Sequence, residues 1–237
     1  MAFKLPNDTQ RCTIIGRTGS GKTQAGIWQL SERSYTSMPW IVFDFKRDPL
    51  IDRIPYSIPL ALGTIPKESG LYIVRPIPGE DEAVEAYLWE IWGVGNIGVF
   101  ADEGAMFRHS NGFKALLTQG RSKHIPMIIL NQRPVDITRF AFSEADFLQI
   151  FLLTDVRDRK TIAGYVDYDF ERPLPRYYSI WYDVAEARAN ILRPVPNEVR
   201  ILDTFRDRLG PRPEPESEPE APNLGPALPT RKRFILI

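Results

Sequence analysis

The chemistry in this chain begins with three glycines, a lysine and a threonine at fixed separations. Gly16, Gly21, Lys22 and Thr23 stand in the order G-x-x-x-x-G-K-T, with Arg17, Thr18, Gly19 and Ser20 between the glycines. This spacing suits a loop that wraps a polyphosphate. Residues without Cβ atoms let the backbone N–H groups turn inward, and the start of a following helix adds its positive end. Lys22 would then reach the terminal phosphates of ATP, and the Thr23 hydroxyl would hold Mg2+. The plainer reading is a glycine-rich turn. The phosphate-binding reading needs a strand before the loop and a helix after it. "RCTII" and "KTQAGIWQLSER" supply both patterns.

A second pair of side chains fits the same reaction. "IGVFADEGAMF" puts Asp102 and Glu103 where an apolar strand ends. An aspartate there can hold the magnesium ion, usually through water, beside Thr23. The adjacent glutamate can polarise an attacking water as a general base. Carboxylates also cap strands without doing chemistry, so the pair gains its meaning from the phosphate loop. Together the two motifs favour an ATPase with an additional strand between the motif strands over a kinase or a GTPase.

These side chains need a scaffold. Apolar runs at "RCTII", "WIVFDF", "LYIVRP", "IGVFAD", "PMIILN" and "LQIFLLT" predict strands covered on both faces. Helical spacing in "EDEAVEAYLWEIW", "NGFKALLTQGR" and "VRDRKTIAGYV" predicts helices between several of them. Such alternation predicts an α/β fold, a mostly parallel sheet with helices on both sides. "RYYSIWYDV" reads as a late edge strand, and "PNEVRILDTFRDRL" as a closing helix with proline in its first turn.

The chain's 237 residues suit one domain with a substantial core, or one domain and a tail. Thirty basic residues balance thirty acidic ones, so any nucleic-acid surface must be local rather than global. The lone Cys12 cannot form an intramolecular disulfide and reads as a small buried residue. No apolar run is long enough for a membrane span, and "MAFKLPNDTQ" does not read as a signal peptide, so the expectation is a soluble protein of a reducing compartment. His109 and His124 lack partners at metal-ligand spacing. The motor domain is expected to span residues 1–210. Beyond it, "PRPEPESEPEAPNLGPALP" holds seven prolines and four glutamates in nineteen residues, a composition expected to stay extended and mobile. Residues 211–237 end in the basic and apolar "TRKRFILI", which reads as a docking peptide.

A third stretch, "LLTQGRSKHIPMIILNQRPVDI", runs from Leu116 to Ile137 and joins a helix ending in Gly-Arg to an apolar strand and Asn-Gln-Arg-Pro. Together with the phosphate loop, the Asp-Glu pair and "WIVFDFKRD", it resembles the FtsK–HerA superfamily of DNA-pumping ATPases. The likeness covers residues 10–185. "LYIVRP" resembles a strand of the superfamily's viral members. The chain departs from the common pattern at His124 and Pro126.

That resemblance implies a RecA-like P-loop fold. It assigns Lys22 and Thr23 to phosphate and magnesium, Asp102 to magnesium, and Glu103 to water activation. Gln132 becomes a polar sensor of the γ-phosphate. Arg121 becomes an arginine that reaches into a neighbouring subunit's site; alternatively, it is a helix-end cation interacting with the last carbonyls. Arg157 and Arg159 are further interface candidates, or else a solvated helix face.

The resemblance also implies a ring, six-membered, that threads double-stranded DNA through a pore. Lys46, Arg47 and Arg53 in one loop, and Phe107, Arg108, His109 and Lys114 in another, are candidates to grip the DNA backbone, where positive charge suffices without base readout. Ordinary solvated loops are the alternative for both. The bare motor with a tail looks like a genome-packaging ATPase of viruses with an internal membrane and double-jelly-roll capsids. Such a protein would sit in the host cytoplasm and at the packaging vertex, its tail meeting a capsid vertex protein or the viral membrane. A protein-remodelling or signalling ATPase, a cellular or plasmid translocase, and a non-hydrolysing assembly factor remain as alternatives.

Overall fold

The computed structural model describes residues 4–210. The tail expected over residues 211–237 lies outside them. Nine strands form one sheet: β1 (Arg11–Ile15), β2 (Pro39–Phe43), β3 (Ile58–Pro59), β4 (Gly70–Val74), β5 (Gly98–Ala101), β6 (Met127–Asn131), β7 (Phe147–Phe151), β8 (Ser179–Asp183) and β9 (Arg188–Leu192). Their spatial order is β3-β4-β2-β5-β6-β1-β7-β8-β9. The pairs from β3 through β7 are parallel, and β7-β8 and β8-β9 are antiparallel. β6 therefore lies between β1 and β5, the additional strand expected between the two motif strands.

Among the described residues seven α-helices connect and cover the sheet: α1 (Lys22–Ser31), α2 (Pro49–Asp52), α3 (Asp81–Val94), α4 (Asn111–Gln119), α5 (Phe140–Ser143), α6 (Val156–Ala163) and α7 (Glu198–Leu209). The central strands carry apolar residues at successive positions because neither face meets water. In β6, Met127 and Ile129 enter the core with α3 and α4, while Ile128 and Leu130 enter the opposite core with α1 and α7. The same division separates Val99 from Phe100 in β5. Cys12 is buried on the α1 side, where desolvation pushes its thiol up to about 12.

Three local expectations need correction. β8 is not an edge strand: β9 pairs with it and takes the edge, and Ile191 there is exposed. Pro196 does not lie in the first turn of α7. Asn197 caps that helix by accepting from the Arg200 amide at 3.0 Å, and the helix starts at Glu198. Phe107 cannot serve as a pore-loop aromatic because it is fully buried. It stacks on Phe113 at 4.6 Å and meets Phe43 edge-on at 5.4 Å, filling the core between the end of β2 and α4.

Candidate active site

Parallel strands that end at the same level bring their following residues together. Ile15 pairs with Asn131, Ala101 with Ile129, and Phe43 with Ala101. The loop from Gly16, the pair Asp102-Glu103, Gln132 and the turn from Asp44 therefore emerge side by side at one rim of the sheet. Two backbone contacts fix the level: the Gly16 amide donates to Asn131 O at 3.2 Å, and the Asp102 amide donates to Phe43 O at 3.2 Å.

The loop geometry depends on two of its glycines. A Cβ on Gly16 would stand 2.7 Å from both Phe151 Cβ and Ser20 Oγ, too close for either to stay in place. Gly21 sits at φ 94°, a left-handed conformation that places it directly before α1 and that side chains resist. Lys22 and Thr23 open the helix, so the first-turn amides and the Lys22 side chain face the same loop mouth. Lys22 is 5% exposed. Burial lowers its proton affinity, Lys46 lowers it further, and Glu103 and Asp102 act in the opposite direction.

Asp102 is fully buried, and neither carboxylate oxygen has a hydrogen-bond partner. Desolvation pushes its acid form up to about 6, against the opposing pull of Lys46 and Lys22. A buried acceptor left unsatisfied is costly unless a ligand completes it. Mg2+ fits this donor set, because that ion is held by one or two protein oxygens with waters and substrate phosphates filling the rest. Thr23 and Asp102 are the side chains that would hold it. Among the described residues, no group of three or more His, Cys, Asp or Glu side chains forms an independent metal cage.

Glu103 and Gln132 meet directly. Gln132 Nε2 donates to Glu103 Oε2 at 3.3 Å, and Gln132 Oε1 accepts from the Thr18 hydroxyl at 3.1 Å. The amide thus links the phosphate loop to the candidate base. Lys46, expected on a DNA-gripping loop, instead ion-pairs with Glu103 Oε2 and lies 4.0 Å from Asp102 Oδ2. Its stem leaves the end of β2, the strand beside β5. This turn is braced from behind: buried Asp44 accepts from the Asp48 amide at 3.0 Å and from Arg75 Nε at 2.9 Å.

Asn131 was not singled out from the sequence, although it adjoins Gln132. Fully buried, its Oδ1 accepts from the Ala105 amide at 2.8 Å and its Nδ2 donates to Arg133 O at 2.6 Å. It ties the turn after Glu103 to the end of β6. A polar residue closing an apolar strand was the available signal. On the other side of the phosphate loop, a cleft of about 470 Å³ is walled by Phe151, Leu174, Pro175 and Tyr177. The Tyr177 ring lies against Gly21.

Other expected residues lie elsewhere. Arg121 is at the opposite rim, in the tight turn Gly120–Lys123 after α4, and donates to Asp146 Oδ1 at 2.6 Å. It makes no contact with its own chain's phosphate loop. His124 closes that turn at φ 54°. Arg108 stands 3.9 Å from Asp136, Lys114 donates to Asn111 Oδ1 at 3.4 Å, and Arg53 donates to Glu198 Oε2 at 2.6 Å. Arg47 is exposed at φ 54°. Arg159 is engaged by Glu171 and by the carbonyls of Leu153 and Thr154, whereas Arg157 is exposed.

A phosphate loop on a strand that ends beside an Asp-Glu pair, with β6 between the two and a polar residue at its tip, is the arrangement of a P-loop NTPase with an additional strand between its motif strands. No family model matches the chain. It is 47% identical over 217 residues to the DNA packaging ATPase P9 of Enterobacteria phage PRD1, covering 86% of this chain and 96% of that protein. The chain belongs to the family of that packaging ATPase. Solved structures show the same fold at lower identity. The genome packaging NTPase B204 of Sulfolobus turreted icosahedral virus 2, in complex with AMPPCP, superposes with a TM-score of 0.59 at 16% identity over 80% of this chain and 100% of that one. ATPases 2 and 3 of EssC from Geobacillus thermodenitrificans give 0.60 at 14% identity, over 86% of this chain and 46% of that one.

Proposed function

We propose that this chain is the ATP-hydrolysing motor that drives double-stranded DNA into a viral capsid. The observation that carries the reading is its 47% identity to phage PRD1's packaging ATPase P9 across 96% of that protein. The rim geometry supports the chemistry. Triphosphate would lie in the loop Gly16–Thr23 with Lys22 on its terminal phosphates. The γ end would point toward Glu103 and Gln132, and the nucleoside toward the cleft at Phe151 and Tyr177.

Glu103 draws a proton from water as that oxygen attacks the γ-phosphorus. The bond from phosphorus to the β–γ bridging oxygen breaks, and ADP leaves with the electron pair. Gln132 orients Glu103 and the water against the loop. Mg2+, held by Thr23 and Asp102, would supply positive charge to the β and γ oxygens.

In this reading the protein works as a homo-oligomeric ring of six. Arg121, remote from its own loop, completes a neighbour's site. Arg47, Arg108 and Lys114 contribute backbone-gripping charge. Residues 211–237 attach the motor at the packaging vertex through a capsid or viral membrane protein. Among the described residues, no helix is long and apolar enough to cross a membrane.

Phosphate release with and without duplex DNA, measured together with particle mass, tests the reading. Stimulation by duplex in a ring-sized particle is the expected result. Hydrolysis that ignores DNA and responds to a protein partner would favour a protein-remodelling ATPase.

A further inference from the structure

The phosphate loop contributes one lysine to the site, and the structure places a second one across from it. Lys46 comes from a different strand end, yet its ammonium rests on Glu103 and stands 4.0 Å from Asp102. That position beside Asp102 and Glu103 puts Lys46 among the groups that surround the terminal phosphate in the proposed mode of binding. Its side chain keeps 35% of its surface exposed, so the ammonium can change partners without unpacking the core.

The contact with Glu103 is ill suited to catalysis as it stands. The ammonium occupies Glu103 Oε2, an oxygen that an attacking water would have to reach. A γ-phosphate offers Lys46 a more highly charged anion in the same place. The trade frees Glu103 for its water and moves a positive charge onto oxygens that gain negative charge as the bond to the leaving group breaks.

We propose that Lys46 is a second triphosphate-binding lysine, one that leaves Glu103 for the γ-phosphate when ATP enters and so distinguishes ATP from ADP. The assignment rests on the reading of this rim as the ATP-hydrolysing site. It replaces the expectation that Lys46 grips DNA. Lys22, at the helix start, serves both di- and triphosphate; Lys46, anchored beside Glu103, meets only the third phosphate.

The test compares Lys46→Ala, Lys46→Arg and Lys22→Ala in the full chain, measuring ATP and ADP affinity, turnover and duplex-DNA affinity. For Lys46→Ala, turnover should fall about a hundredfold, the scale seen when one preorganised charge donor is lost. Its ATP affinity should weaken while ADP affinity stays within about twofold, and Lys46→Arg should recover part of the turnover, since the cation is retained. Lys22→Ala should weaken both nucleotides. If Lys22→Ala changes neither nucleotide, the reading of the site fails. If Lys22 behaves as expected, three results each overturn the role of Lys46. One is faster turnover in Lys46→Ala, which makes the residue a restraint on Glu103. Another is equal loss of ATP and ADP affinity, which makes it structural. The third is unchanged nucleotide behaviour with weaker DNA binding, which returns it to a DNA contact.

Discussion

Gln132 is hydrogen-bonded to Glu103 from one end of its amide, at 3.3 Å, and to the phosphate loop's Thr18 from the other, at 3.1 Å. A single side chain therefore sets the position of the candidate base relative to the loop that would carry the γ-phosphate. Gln132 meets Glu103 through its Nε2–H, a donor, so this bond holds the carboxylate in place while leaving it an acceptor, as a base must be.

Gln132→Ala should bind ATP with little change and turn it over about tenfold to a hundredfold more slowly, because orientation is lost and phosphate contacts are not. Equilibrium binding and steady-state kinetics on the same preparation check this. Unchanged turnover would show that the amide bridge is a resting contact with no part in the reaction.

Glu103 and Lys22 should fail in different ways. Glu103→Gln keeps the shape of the side chain but cannot accept a proton, so ATP should still bind while hydrolysis slows by at least about a hundredfold. Lys22→Ala removes the counter-charge at the loop mouth and should weaken binding itself. Wild-type turnover in Glu103→Gln would remove Glu103 from the role of base.

Asp102 makes a prediction about pH. Its carboxyl has a folded value of about 6 against an ordinary 3.8. The native state therefore binds a proton more tightly than the unfolded chain between those values. Stability falls as pH rises through that window, and the penalty that remains at neutral pH is about 3 kcal/mol as an upper figure. In protein free of metal and nucleotide, Asp102→Asn should raise the unfolding midpoint at about pH 8 and lose that advantage near pH 4. Magnesium with ATP should stabilise the wild type and have much less effect on the variant. Denaturant melts across pH, with and without the ligands, read both effects. A variant no more stable than wild type at the higher pH would mean the carboxylate is satisfied in solution.

The phosphate loop and the buried strands of the mostly parallel sheet were legible because each residue type there answers a backbone demand. Gly21 must adopt a left-handed φ, Gly16 must admit Phe151 and Ser20, and strands covered on both faces must be apolar throughout. Lys46 was not legible in its true setting. A lysine after a strand looks like any solvated cation, and only the pairing of β2 with β5 brings it to Glu103. Phe107 misled for the related reason that an aromatic residue in a loop gives no local sign of the cluster that buries it. β9 was missed because "RANIL" mixes polar and apolar residues and none of them is buried, and its strand character comes from pairing with β8 rather than from its own pattern.

Arg121 supplies the last prediction, which concerns assembly. Its guanidinium sits at the rim opposite the phosphate loop, two-thirds exposed, held by Asp146. Asp146 also accepts from the Arg11 amide at 2.9 Å, so the aspartate stays fixed if the arginine leaves. An arginine this far from its own loop can stabilise a transferring phosphoryl group only in another subunit, where such a charge is worth about a thousandfold or more in rate. Arg121→Ala and Glu103→Gln proteins should each be inactive alone and regain part of the activity when mixed into one ring. The recovered sites would pair Glu103 from the Arg121→Ala subunit with Arg121 from its neighbour. Native mass measurement verifies that the rings are mixed, and phosphate release reads the recovery. Verified mixed rings with no recovery would place Arg121 with Asp146 as a structural pair and leave the completing cation to be sought at exposed Arg157.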